Sequence, residues 1–148
     1  VACVLTSPML RARQTAKLAG LGHARVDPDL REWDYGGYEG VTSHDIHRTR
    51  PEWDLWRDGV VPGAEGHPGE SAAQVGERAD RVLARADRDL ADGDVVLVAH
   101  APLLRVLTAR RLGLAPAAGA LFQLATGTVS RLGEEHGYHV LTAWNRLP

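Results

Sequence analysis

"DVVLVAHAPLLRVL", residues 94–107, is the stretch on which the fold turns. Val95, Val96, Leu97, Val98 and Ala99 form an unbroken apolar run, which reads as a strand of a parallel sheet covered by helices. His100 follows at once, and Pro102 stands where a helix can begin, because a first-turn residue has no use for its N–H. The chain therefore passes from strand to helix through a histidine. That junction lies on the edge of an open α/β sheet where ligands are usually bound.

The same order recurs earlier. The apolar run "VACVLT" (1–6) ends in Ser7-Pro8 and continues as "MLRARQTAKLAG" (9–20). Ser7 is expected as the N-cap, Pro8 as the first helical residue and Gly20 as the stop. Ser7-Pro8-Met9-Leu10-Arg11 parallels Ala101-Pro102-Leu103-Leu104-Arg105, so two similar βα turns are expected at one sheet edge. Residues 27–69 are irregular and carry Trp33, Trp53 and Trp56, as a lid or binding region would. Ser71 and Gln74 form a capping box. Ala72, Val75, Ala79, Val82, Leu83, Ala86 and Leu90 then line one helix face. Residues 120–145 read as three short antiparallel strands. The pattern implies one α/β layered domain over 1–148, with no linker to a second.

Composition narrows the function. Seventeen Lys and Arg against nineteen Asp and Glu leave a net charge of −2. That balance argues against a general nucleic-acid or membrane-surface binder. Cys3 is the only cysteine, so neither a disulfide framework nor a cysteine metal site is available. No stretch approaches a membrane span, and a cytoplasmic setting is expected. The antiparallel strands near the C-terminus offer a pairing edge, which leaves a homodimer open.

Several residues invite a chemical reading. Arg11 falls about one turn into a helix, where the macrodipole disfavours a cation unless an anion shares the site. It reads either as an anion ligand or as a solvated arginine. His100 reads as a site residue or as a core histidine satisfied by backbone groups. Glu32, in "LREWDYGGYEG" (30–40), is a functional carboxylate or a surface one. His44 and His47 lie one helical turn apart with His67 nearby, a combination that raises a metal site without any flanking HExxH pattern. His23, His136 and His139 read as surface.

Taken in order, these blocks resemble the histidine phosphatase superfamily, with its phosphoglycerate-mutase-like fold. "LTSPMLRARQTAKLAG", "LREWDYGGYEG", "RPEWDLWRDGVVPGAEGHPGES", "VVLVAH" and "TAWN" are similar to successive family blocks across almost the whole chain. The resemblance implies a three-layer, mostly parallel sheet with helices on both faces and an antiparallel edge. It implies a phosphate clamp of Arg11, His100 and Ala101, Glu32 as proton donor, residues 33–69 as a lid with Trp53 and Trp56 over the substrate, and no cofactor or metal. The substrate implied is a small-molecule phosphomonoester, cleaved through a phosphohistidine.

Two departures stand out. The family's His-Gly is His100-Ala101 here. The family's Arg-His-Gly, whose histidine is the nucleophile, matches none of the seven histidines. It is expected upstream of Val1, which would make 1–148 an N-terminally incomplete domain. The short interval between Glu32 and Gly69-Glu70-Ser71 favours phosphatase over mutase, since mutases carry longer insertions. Without a nucleophile, the same residues would make a non-catalytic phosphate- or phosphoprotein-binding module.

Overall fold

The structure, a computed structural model, describes residues 1–148. Strand β1 (Cys3–Thr6) is central, paired in parallel with β2 (Arg25–Val26) on one side and β3 (Val95–Val98) on the other. The register aligns Leu5 with Leu97 and Thr6 with Val98. Both strands thus reach the same sheet edge together, and the Ser7 N–H donates to the Val98 carbonyl at 2.9 Å. This register is what brings Ser7 and His100, 93 residues apart, into one place.

Two long helices cover one face. Helix α4 (Ala72–Asp89) packs on α5 (Ala101–Arg111), and Leu5, Leu30, Trp33, Val75, Ala79, Val82, Leu103, Val106 and Leu107 form a single core. Each fully buried Leu or Val in it contributes about 1.5–3 kcal/mol. Strand alternation sends Val4, also buried, out of that cluster. Helix α1 (Leu10–Leu18) packs against β1 and β3 and buries Ala12 and Ala16. The result is the α/β layering expected. No helix is long and apolar enough to cross a membrane.

The capping box at α4 is complete: the Gln74 N–H donates to Ser71 Oγ, and the Ser71 N–H to Gln74 Oε1. Gly20, at φ 77°, ends α1 as expected. Four expectations change in detail. Helix α1 begins at Leu10 with Met9 as its N-cap, because Ser7 is held by the sheet edge. Strand β3 is half-buried, since it has β1 as its one neighbour. Leu90 leaves the α4 stripe for an exposed 3-10 turn over Leu90–Asp92.

The C-terminal region holds two strands, not three. The first of the expected strands is absent: residues 122–125 have no regular structure, and Ala120 and Leu121 close a 3-10 helix over Pro116–Leu121. Gly119 there lies against Trp56, and the Arg105 guanidinium donates to the Gly119 and Ala120 carbonyls. Those tertiary partners occupy the backbone groups a strand would have paired. Strands β4 (Val129–Glu135) and β5 (Tyr138–Arg146) form their own antiparallel sheet. Two short helices, α2 (Ser43–Thr49) and α3 (Leu55–Asp58), lie within residues 33–69.

Candidate active site

Three of the predicted residues meet at the sheet edge. His100 is the N-cap of α5, in extended backbone, with Pro102 in the first helical turn. Arg11 rises from the first turn of α1. Glu32 follows the short 3-10 turn Pro28–Leu30, whose start is fixed by Asp27 accepting from the Asp29 N–H. Glu32 Oε2 lies 3.8 Å from His100 Nδ1 and 4.0 Å from an Arg11 guanidinium nitrogen. Side-chain exposure grades from 4% at His100 through 20% at Glu32 to 58% at Arg11. The group therefore runs from a buried imidazole to an exposed cation at its rim. Surface hollows beside Arg50, Trp53 and Arg57, and beside Arg25, Asp27 and Arg88, contain none of these groups.

The floor is set by Ser7, which is fully buried and 2.7 Å from His100 Nε2. Ser7 Oγ already accepts the Met9 N–H. With the proton of Ser7 directed at Nε2, the hydroxyl donates once and accepts once. His100 then carries its proton on Nδ1, facing Glu32. Burial, and after it the charges of Arg11 and Arg78, push the His100 pKa down to about 4. The 3.8 Å approach to Glu32 is accordingly a polar contact of a neutral imidazole at pH 7, not an ion pair.

Glu32 is shifted the other way. Burial raises its pKa, opposed by the Trp33 N–H that donates to Oε1 at 2.9 Å and by Arg11 and Arg78. A carboxyl biased toward its acid form beside a neutral histidine is the pairing that general acid catalysis uses. Ala101, at the start of α5, adds a first-turn N–H that has no intrahelical acceptor, next to the positive end of the helix dipole. Together these groups offer a fork, an imidazole N–H and a backbone N–H to an anion, with a proton held beside it.

The predicted tryptophans divide. Trp33 is buried in the core, its indole donating to the Glu70 carbonyl at 2.8 Å. Trp56 packs edge-on to Trp33 at 5.4 Å and lies under the Arg105 guanidinium at 4.6 Å. Trp53 contacts Tyr38 and His47 and donates to the Gly59 carbonyl. The His44, His47 and His67 combination does not assemble. His44 faces Asp45, His47 the Trp53 carbonyl and His67 Asp34. Asp34, Glu39 and His67 do lie together, but Asp34 accepts the Gly36 and Gly69 N–H groups and Glu39 that of Tyr35, so both carboxylates are closing turns.

Two features escaped the sequence reading. Tyr35 stacks on Trp33 at 6.2 Å, and burial, then Glu32 and Glu39, raise its phenol far above the ordinary value. Arg78 is buried on the apolar stripe of α4 and paired with Glu70. Its spacing from Val75 and Val82 was the available signal.

The sheet, the two βα turns and the residues at their edge define an α/β domain with a cluster of polar side chains at the end of its strands. The histidine phosphatase superfamily (branch 1) matches residues 1–147, and the chain belongs to that family. An acid phosphatase of Mycobacterium tuberculosis is 39% identical over 138 residues, 93% of this chain and 65% of its own length. The chain therefore spans less than two thirds of that relative. A solved structure of an open-reading-frame product from Mycobacterium tuberculosis superposes with a TM-score of 0.90 at 38% identity, over 98% of this chain and 72% of that one. A mycobacterial glucosyl-3-phosphoglycerate phosphatase gives 0.77 at 27%, over 99% and 78%.

Proposed function

We propose that the protein is a metal-independent phosphomonoester phosphatase working through a phosphohistidine, with the nucleophilic histidine supplied from outside residues 1–148. The observation carrying this is the convergence of Arg11 and His100 on Glu32 Oε2 at 4.0 and 3.8 Å. The phosphatase names of the relatives support it, and so does their greater length. Each of the three residues suits a clamp or an acid, and none is placed as an attacking base.

In the first step the nucleophile forms an N–P bond as the ester P–O bond breaks. Glu32 gives its proton to the leaving alkoxide. In the second, the Glu32 carboxylate takes a proton from water as the water oxygen attacks phosphorus, releasing orthophosphate and the free imidazole. Arg11 and the Ala101 N–H hold phosphoryl oxygens. A bound phosphate dianion raises the affinity of His100 for a proton, so an imidazole that is neutral in the free site becomes a second cation in the loaded one. Charge spread over the transferring oxygens is met by fixed donors, which is the main catalytic need in phosphoryl transfer.

The test is p-nitrophenyl phosphate hydrolysis by the native protein in EDTA. Turnover with an acid-labile phosphoenzyme is expected. Turnover abolished by EDTA, or phosphate binding with no turnover, would overturn the mechanism in favour of metal chemistry or a binding module respectively.

A further inference from the structure

Behind Glu32 lies an ion pair that no step of the reaction uses. Arg78, 5% exposed on α4, donates from Nε and Nη2 to the two Glu70 carboxylate oxygens at 2.7 and 2.8 Å. The rest of its fork is turned on the backbone that carries Glu32. Nη1 donates to the Asp29 carbonyl at 2.6 Å and the Arg31 carbonyl at 3.1 Å, while Nη2 reaches the Glu32 carbonyl at 3.5 Å. Glu70 holds the next residues. Its Oε2 accepts the Asp34 N–H, its own N–H donates to the Asp34 carbonyl, and its carbonyl accepts the Trp33 indole.

We infer that Arg78 and Glu70 are positioning residues that fix the backbone of residues 29–34 and so aim Glu32 at the leaving group. Three observations support a positioning role over simple core filling. The pair is bidentate and buried, a costly arrangement when a hydrophobic pair of similar volume is often as stable. Its spare hydrogen bonds all fall on one segment. That segment otherwise contains only a 3-10 turn, Pro28–Leu30, and so has few backbone bonds of its own. A guanidinium alone can make this contact, because its planar fork serves carboxylate and carbonyls at once, whereas a lysine is a point charge.

The inference deepens the proposed phosphatase reading and rests on it for one assay. Arg78→Lys keeps the charge and loses the fork. The expected result is a fall of tenfold or more in kcat for an alkyl phosphate relative to p-nitrophenyl phosphate, whose leaving group needs little protonation. KM should stay within about twofold, since Arg78 touches no substrate. Parallel loss on both substrates would mean a merely structural role and would overturn the inference. Glu70→Gln keeps the volume and carries the same prediction in smaller measure, should Arg78→Lys fail to fold.

A second readout needs no turnover. The Glu32 carboxyl is followed by carbon-13 NMR against pH, with Arg11, His100, Tyr35, Glu39, Arg78 and the Trp33 N–H as the groups facing it. In Arg78→Lys its midpoint should fall toward the ordinary carboxylate value, as a loosened segment lets water in. An unchanged midpoint would overturn the inference. Absence of hydrolysis by the wild type would count against the phosphatase reading alone, leaving this titration to decide on the pair.

Discussion

Replacing Ser7 by Ala removes one oxygen from the floor of the site, and its effect can be worked from the contacts. Ser7 Oγ is fully buried, shares a hydrogen bond with His100 Nε2 at 2.7 Å and accepts from the Met9 N–H at 3.2 Å. Alanine leaves the imidazole nitrogen without a partner, at about 1–3 kcal/mol for a buried polar atom. An unfolding entropy of ~2.1 cal/mol/K per residue over 148 residues gives ~0.3 kcal/mol/K. Thermal unfolding should therefore shift down by about 3–10 °C. The chemical effect is separate. With no hydroxyl to accept from, Nε2 no longer fixes the tautomer, and the Nδ1–H donor toward the phosphate is lost part of the time. Vanadate affinity, measured by isothermal titration, should fall about tenfold, equivalent to ~1.4 kcal/mol. Ser7→Thr should restore much of both. A Ser7→Ala protein with wild-type melting and wild-type vanadate affinity would mean that Ser7 does not hold the His100 ring.

Three further outcomes follow from the same contacts. Glu32→Gln should slow hydrolysis of alkyl phosphates by about 10²–10⁴, the usual range for a general acid, and p-nitrophenyl phosphate far less; equal slowing of both would remove Glu32 from that role. His100 titrates at about 4 in the fold against 6.5 when free. Below pH 6.5 the unfolded chain therefore binds the extra proton, and stability falls with falling pH across that window. The full loss is about 3 kcal/mol at ~1.4 kcal/mol per unit. Glu32, raised by burial, acts in the opposite sense, so the check is the difference in denaturant stability between wild type and His100→Gln, which should shrink toward pH 4. In Gly76→Ala the new Cβ would sit 2.5 Å from Pro116 Cγ. Overpacking of about 1–3 kcal/mol should outweigh the helix-propensity gain of ~1 kcal/mol, so a raised melting temperature would contradict the packing described.

Much of this site could be read along the chain because its parts sit where local chemistry is strong. Apolar runs ending in Ser7-Pro8 and His100-Ala101-Pro102 announced two strand-to-helix turns. The Ser71/Gln74 box marked α4 to the residue. Strand β2 was illegible: it is the two exposed residues Arg25–Val26, extended because β1 offers an edge. The segment from Ala120 misled for the same kind of reason, since it begins by closing a 3-10 helix held by Trp56 and Arg105 from elsewhere. Ser7 was legible as a polar turn residue but not as the partner of His100, since that contact depends on the β1/β3 register. Arg78 broke an apolar stripe, which is a visible irregularity, yet only the fold shows which carbonyls it holds.

The proposed phosphate site joins His100, Arg11 and Glu32, with a neutral histidine on a serine floor. The most direct test is nitrogen-15 NMR of the His100 ring against pH, with and without orthophosphate. The account predicts the Nδ1–H tautomer and a midpoint near 4 in the free protein, raised by phosphate and no longer raised in Arg11→Ala. A midpoint near 6.5 that ignores phosphate would contradict it.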